Sequence, residues 1–366
     1  MMASRIFNFS AGPGVMPQAV LELAQREFVD WSGSGISMLE MPFTSDEFKS
    51  IMQRAQRNLS VLMSVPDNYH VLFMHGGATA QFSLVPLNLL GNAKCADYLE
   101  TGYWSQKAIL EGRRYSTLNI AGSSQGDNFE RLPSQDEISI DPSAAYCHYT
   151  SNETANGIQF HEIPDTGGVP LVADMTSDFL SRPMDISRYG LIYASSQKNI
   201  GPAGFTVVIV RDDLLERAHP ATPQVFDYRL QSRTNSLINT PTTFAIYLAD
   251  LVFQWVNAMG GLSMMEENNI RRSRQLYETI DDSNGFFLCP VRHPHRSRVN
   301  ICFTLADKSL TPLFLSEAAR QGMVNLKGHS VTGGIRASLY NAMPDEGVAK
   351  LTTFMRQFIE GYSAHV

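Results

Sequence analysis

Lys198 stands where a lysine is unusual. It lies in the stretch YASSQKNIGPAG, Tyr193 to Gly204, between a run that reads as a strand and a glycine-proline turn, with a second apolar run, FTVVIV, behind it. A lysine at a strand end is ordinarily a solvated charge. Here its flanks are small or polar: Ser195, Ser196 and Gln197 before it, Asn199, Gly201, Pro202 and Gly204 after it. Small neighbours let a bulky group approach the backbone. An amine at the edge of a pocket, its pKa lowered by its surroundings, can attack a carbonyl and form an imine.

Imine chemistry on a pyridine cofactor needs further groups. A carboxylate must face the ring nitrogen to keep it protonated and electron-withdrawing. Asp174, at the end of the apolar run GVPLVAD, has that position; without Lys198 it would read as a cap for the following turn. A phosphate needs backbone N–H groups at a helix start. HGGATAQF supplies small residues and the hydroxyl of Thr79, and taken alone it reads equally as a plain strand-to-helix turn. Trp104, in TGYWSQ, offers a face for a ring to stack on, or a core tryptophan.

The elements that must hold these residues alternate. PQAVLELAQREFVDW and SDEFKSIMQRAQRNLSVLMSV carry apolar residues at helical spacing. HVLFMHGGATAQFSLVPLNLL reads as strand, turn and helix; GVPLVADMTSDF and GLIYASS read as buried strands. Strands alternating with helices predict an α/β sandwich with a mostly parallel sheet, and sites in such sheets gather at the carboxyl ends of strands. Gly77 to Thr79, Asp174 and Lys198 all fall at such ends. A long helical run, FAIYLADLVFQWVNAMGG and then SMMEENNIRRSRQLYETID, leads into RVNICFTLAD, TPLFLSEAARQGM, GIRASLYNAM and DEGVAKLTTFMRQFIEGY, a small α+β domain. The expected division is a large domain over 16–265 and a small one from 1–15 and 266–366, with the long helix joining them.

Composition narrows the classes. The chain has 366 residues, 43% of them hydrophobic and 18% charged, as in an ordinary soluble globule. A net charge of −7 without a Lys/Arg-rich run argues against a nucleic-acid surface. Cys95, Cys147, Cys289 and Cys302 have no metal-like spacing and read as reduced thiols of a cytoplasmic protein. The first residues lack a signal-peptide apolar stretch, and no run approaches the roughly 18 apolar residues of a membrane span.

The segments FNFSAGP, NYHVLFMHGG, ADYLETGYW, SNETANGI, SRPMDISRYGLIYASSQKNIGPAG, LKGH and GGIRASLYNAMP run nearly end to end. In them the chain resembles the phosphoserine aminotransferases, pyridoxal-phosphate enzymes of the aspartate-aminotransferase fold type. The resemblance implies that Lys198 carries pyridoxal 5'-phosphate as a Schiff base and shuttles the α-proton. Asp174 would pair with the ring nitrogen, Trp104 stack, and Thr154 bond the phenolic oxygen. Ala78, Thr79 and Gln197 would bind the phosphate, with Asn239 and Thr240 from the second subunit of a homodimer with shared sites. Arg336 would clamp the substrate α-carboxylate through a bidentate pair, beside His329.

The chain departs from the family pattern at the far end of the substrate. Where the family carries His-Arg, this sequence has Phe43 and Thr44; Thr79 and Ser330 replace two arginines, and Ala11 a serine. A charge-assisted hydrogen bond to phosphate is worth about 1.5–3 kcal/mol. These losses predict an aminotransferase for an amino acid and a 2-oxo acid, one of them unphosphorylated. The alternatives are a true phosphoserine aminotransferase with rearranged arginines, for which Arg229 and Arg233 are candidate replacements, and a pyridoxal-phosphate lyase or condensing enzyme.

Overall fold

The computed structural model describes residues 5–362; residues 1–4 and 363–366, which belong to the expected small domain, lie outside the described residues. A seven-stranded sheet runs through the larger part. Its strands, in spatial order, are Tyr69–Met74, Thr206–Arg211, Leu191–Ser195, Leu171–Asp174, Cys147–Thr150, Cys95–Glu100 and Thr117–Ser123. Thr206–Arg211 is antiparallel to both neighbours, and the other strand pairs are parallel.

Strand geometry sends alternate side chains to opposite faces, and both faces are covered. Val207 and Ile209 join Ala173 and Ile192 in one apolar cluster. Val208 and Val210 join Val172, Leu191 and Tyr193 in another. Helices Gln18–Glu27, Asp46–Met63 and Thr243–Ala258 supply side chains to the first face. Helices Gly77–Leu89 and Tyr103–Gly112 supply the second.

Helix Asp46–Met63 shows how local sequence fixes an element. The Ser45 hydroxyl accepts from Phe48 N at 3.2 Å, Asp46 and Glu47 occupy the first turn, and Ser64 closes the helix in the left-handed region. Phe48, Ile51, Met52, Ala55, Leu59 and Met63 form its buried stripe at helical spacing.

The C-terminal part has its own core, built from Phe9, Val15 and residues from Leu276 onward. It contains the antiparallel strands Phe287–Leu288, Asn300–Leu305 and Ile335–Ser338, with helices Thr311–Arg320 and Asp345–Tyr362. The helical run expected to join the two parts is two helices, Thr243–Ala258 and Gly261–Asp281. Gly260 and Gly261, at φ +99° and +72°, break it, because a backbone in that region ends a right-handed helix. The second helix makes the joint: Leu262 and Met265 pack into the first core, Leu276 and Ile280 into the C-terminal one.

Candidate active site

The parallel strands deliver their carboxyl ends to one cavity. Its walls include Asp174 and Ser195, the last residues of their strands, and Thr150, the last of Cys147–Thr150. Gly77, Ala78 and Thr79 arrive from the first turn of the helix Gly77–Leu89, which begins after Gly76 at φ +101°. No residue with a Cβ turns there without strain, so the two glycines let the helix start directly at the strand end. Its first N–H groups are then available to an anion.

Lys198 is buried, and its Nζ donates to Thr154 Oγ1 at 2.6 Å. Thr154 Oγ1 also lies 2.8 Å from Ser177 Oγ. Burial pushes the Lys198 amine down from the usual 10.5 to about 8; the Arg336 charge acts in the same direction and Asp174 opposes it. Asp174 is held by Thr176, whose N–H donates to Oδ1 at 2.9 Å. Burial raises its carboxyl above the usual range, while Thr176 and the Lys198 charge pull it down. An amine and a carboxylate in one desolvated pocket thus each feel the cost of carrying charge there.

The remaining wall comes from two segments that meet. Trp104 sits in the first turn of Tyr103–Gly112, and Asn152 and Thr154 on or beside the short hairpin Asn152–Glu153 with Ile158–Gln159. Gln197 lines the cavity too, with the Ser195 hydroxyl donating to its Oε1. Beyond Thr154 lies the C-terminal part. Arg336 is on the strand Ile335–Ser338, and its Nη1 donates to the Thr154 carbonyl at 3.2 Å. His329 packs on the helix carrying Trp104, its ring 4.5 Å from the Tyr103 centroid and 6.2 Å from that of Trp104.

The structure therefore brings Ala78, Thr79, Trp104, Thr154, Asp174, Gln197 and Lys198 together around one cavity, with Arg336 one residue's breadth away. Asn239 and Thr240 are exposed and do not line it; Thr240 O lies 3.2 Å from His75 Nε2. Phe43 is half-buried against the first core and Thr44 is exposed, both away from the cavity of their own chain. Arg229 and Arg233 lie on the helix Tyr228–Arg233 and both reach Glu216, at 2.9 and 3.4 Å. Sequence reasoning missed Thr150, Thr176, Ser177 and Ser195 as lining residues. The rule that sites gather at strand ends could have found Thr150 and Ser195. It also missed Glu153, fully buried, whose carboxyl burial pushes up to about 7 against hydrogen bonds from Ser105 and Trp104 that lower it.

These residues fit a pyridine cofactor. The cavity pairs a free amine with a carboxylate, an aromatic side chain and a helix start. The buried Thr150 Oγ1 and Trp104 Nε1 have no hydrogen-bond partner among the described residues, which leaves both able to meet a ligand.

Comparison with known proteins agrees. The family model for class-V aminotransferases matches residues 6–351. Over 353 residues the chain is 52% identical to the phosphoserine aminotransferase of Laribacter hongkongensis, covering 96% of this chain and 98% of that protein. It is 50% identical to that of Acidithiobacillus ferrooxidans, with 98% and 99% coverage. The solved phosphoserine aminotransferase from Bacillus circulans subsp. alkalophilus superposes with a TM-score of 0.96 at 42% identity, over 98% of this chain and 99% of that one. A pyridoxal-phosphate-bound phosphoserine aminotransferase from Trichomonas vaginalis gives 0.92 at 40% identity, over 96% and 100%. With the cofactor groups assembled at the strand ends and this likeness running from end to end, the chain belongs to the class-V aminotransferases, in the phosphoserine aminotransferase family, and is a pyridoxal-phosphate-dependent transaminase.

Proposed function

We propose that the chain is a phosphoserine aminotransferase, moving an amino group between glutamate and 3-phosphohydroxypyruvate. The observation that carries this is the identity of about half of all positions, over nearly the full length, to relatives of that name. When bound, the cofactor supplies a carbonyl for the amine and a ring that withdraws electron density from the substrate.

The chain's residues then have separate tasks. Asp174 holds a proton at the ring nitrogen. With the cofactor bound, Lys198 would take the proton from the substrate Cα; an amine brought to about 8 works as a base near neutral pH. Thr154 orients that amine through its hydroxyl. Trp104 would cover one ring face, and Ala78, Thr79 and Gln197, which line the same cavity, would receive the phosphate. Arg336 clamps the substrate α-carboxylate beside His329.

A homodimer completes the site in this reading. Asn239 and Thr240 lie outside their own chain's cavity and are exposed, as residues that serve a partner must be. The segment from Phe28 to Leu39 exposes Phe28, Val29, Ile36 and Leu39, an apolar stretch that a second subunit would cover. Dilution to monomers should then release cofactor, and a fully active monomer would remove this claim. Residues 16–265 act as the cofactor domain, with 1–15 and 266–366 as the smaller domain that carries Arg336. No helix among the described residues is long and apolar enough to cross a membrane, in keeping with a cytoplasmic enzyme.

A second reading, an unphosphorylated substrate, is favoured by one observation: Phe43, Thr44, Thr79 and Ser330 stand where cations are expected. Arg229 and Arg233 do not fill the gap within their own chain, since both engage Glu216. Half-reaction spectroscopy decides between the readings. O-phosphoserine should discharge the cofactor's visible band at micromolar concentration. If it fails while an unphosphorylated amino acid succeeds, the second reading replaces the first; ammonia release without amination of the cofactor would indicate lyase chemistry.

A further inference from the structure

The helix that carries Trp104 starts after Gly102, which has no side chain to cap it; the Ser105 hydroxyl accepts from Gly102 N at 3.0 Å but leaves the N–H groups that follow without a local acceptor. Its first N–H groups belong to Tyr103, Trp104 and Ser105, and all three end on one distant turn. Trp104 N donates to Glu153 Oε2 and Ser105 N to Glu153 Oε1, each at 2.8 Å. Tyr103 N donates to Asn156 Oδ1 at 3.0 Å. The carboxylate of Glu153 is entirely buried, so the site is closed to competing water. Above a pH of about 7 the carboxyl is ionised, and a negative charge at a helix start that accepts two backbone N–H groups combines a dipole interaction with two charge-assisted hydrogen bonds. Gly102 permits the approach: a Cβ there would lie 2.6 Å from Glu153 Cδ and 2.8 Å from Asn156 Oδ1.

The backbone that follows Glu153 carries the other half of the site. Thr154 Oγ1 accepts from Lys198 Nζ at 2.6 Å, and the Thr154 carbonyl accepts from Arg336 Nη1 at 3.2 Å. The turn is stiffened by Gly157 N and Asn156 N, which both donate to the Glu153 carbonyl, at 2.8 and 3.2 Å. One residue therefore ties the segment facing the lysine to the helix that presents the tryptophan.

We infer that Glu153 is a positioning residue that fixes Trp104 relative to Thr154 and Lys198, so that the stacking face and the amine side of the cofactor are registered by one buried carboxylate. This rests on the cofactor roles given above for Trp104 and Thr154. Glu153 touches neither substrate nor cofactor in this scheme. It acts by leaving Trp104 one allowed position.

The test is Glu153→Gln in the holoenzyme. The amide has one acceptor oxygen, so one of the two N–H groups is left facing an NH2. Cofactor release without substrate should accelerate about tenfold, the size of effect expected from one lost charge-assisted hydrogen bond. The quenching of Trp104 fluorescence by bound cofactor, isolated by difference against Trp104→Phe, should fall by more than half. In a Trp104→Phe background the same substitution should add little to cofactor release, because neighbours acting through one contact are not additive. Wild-type release with intact quenching overturns the inference, and so does simple additivity of the two substitutions. Should Glu153→Gln not fold, Glu153→Asp keeps the charge but draws the carboxylate back from Trp104 N and Ser105 N and should raise the release rate about threefold; an unchanged rate with intact quenching overturns the inference. Because release is read without substrate, failure here is distinct from failure of O-phosphoserine as a substrate.

Discussion

The cofactor end of the site and the far end proposed for the substrate are built differently. At the cofactor end, Asp174, Lys198 and Thr154 are all buried, come from strand ends or the segments next to them, and are held by side chains that are themselves held. At the far end, Phe43 packs on the core of its own chain while Thr44 and Ser330 lie on exposed loop. The first region has little freedom to vary, since changing one group leaves another unsatisfied in a desolvated place. The second is less constrained at Thr44 and Ser330, whose side chains are exposed, than at Phe43, which is partly packed on the core. In the proposed reading, chemistry rests on the rigid region and substrate choice on the looser one.

The contrast can be broken most severely at Lys198. Lys198→Ala should abolish the visible cofactor band and lower turnover by about 10³-fold or more, as expected when a nucleophile and base is removed. Asp174→Asn should retain some bound cofactor but lose about 10²–10³-fold in kcat, the scale of one lost preorganised charge. Retention of near-normal kcat by either variant would show that the cofactor end is not the rigid chemical region described here.

At the far end the effects should be smaller and confined to binding. Ser330→Arg should raise kcat/KM for O-phosphoserine by about tenfold while sparing kcat, since one charge-assisted hydrogen bond is gained. No gain would mean that phosphate is already fully bound by other groups, and it would favour a pocket rearranged rather than depleted.

The pH dependence of cofactor capture tests the electrostatics of the buried amine. Only neutral Lys198 attacks a carbonyl, and its pKa lies at about 8 rather than 10.5. Capture of pyridoxal phosphate by apoenzyme should rise with pH and level off above 8, with a value about tenfold lower one unit below the midpoint. Linkage has a definite sign. A depressed amine costs folding free energy in full below about 8, and that cost fades as pH rises toward 10.5, so apoenzyme stability from this group increases with pH across the window. A capture profile still rising at pH 10 would place the amine in a solvated setting.

The smallest effect is expected at Arg229. Its ion pair with Glu216 is substantially exposed, with side chains 36% and 65% accessible. Arg229→Ala should cost less than about 1 kcal/mol in a denaturation curve and leave KM for O-phosphoserine unchanged. A large rise in KM would reassign this arginine to the partner's substrate.

How much of this could be read from the chain depended on range. Lys198 and Asp174 were legible because apolar runs ending in a lone charged residue mark strand ends in a parallel sheet. The sheet itself followed from alternating strands and helices. The break at Gly260 was visible as a glycine pair, yet apolar spacing continues through it, so the run read as a single helix. Glu153 was not legible. Its function lies in hydrogen bonds to residues 104 and 105, and a glutamate in a polar stretch reads as a surface residue until the fold buries it. Likewise, nothing in the sequence DYRLQSRTNS indicates that Arg229 and Arg233 share Glu216.

Thr154 offers its hydroxyl to the lysine and its carbonyl to Arg336. With Arg336 as the carboxylate clamp, a single residue measures the separation between the amino group being processed and the carboxylate beside it. In that proposed role the site would act as a gauge for α-amino acids as a class, set at Cα and separate from whatever reads the atoms beyond Cβ. A compound with its amine one or two carbons further from the carboxylate would span the gauge badly whatever its side chain. The far end of the pocket could then drift between substrates over evolutionary time without the stereochemistry at Cα having to be reinvented.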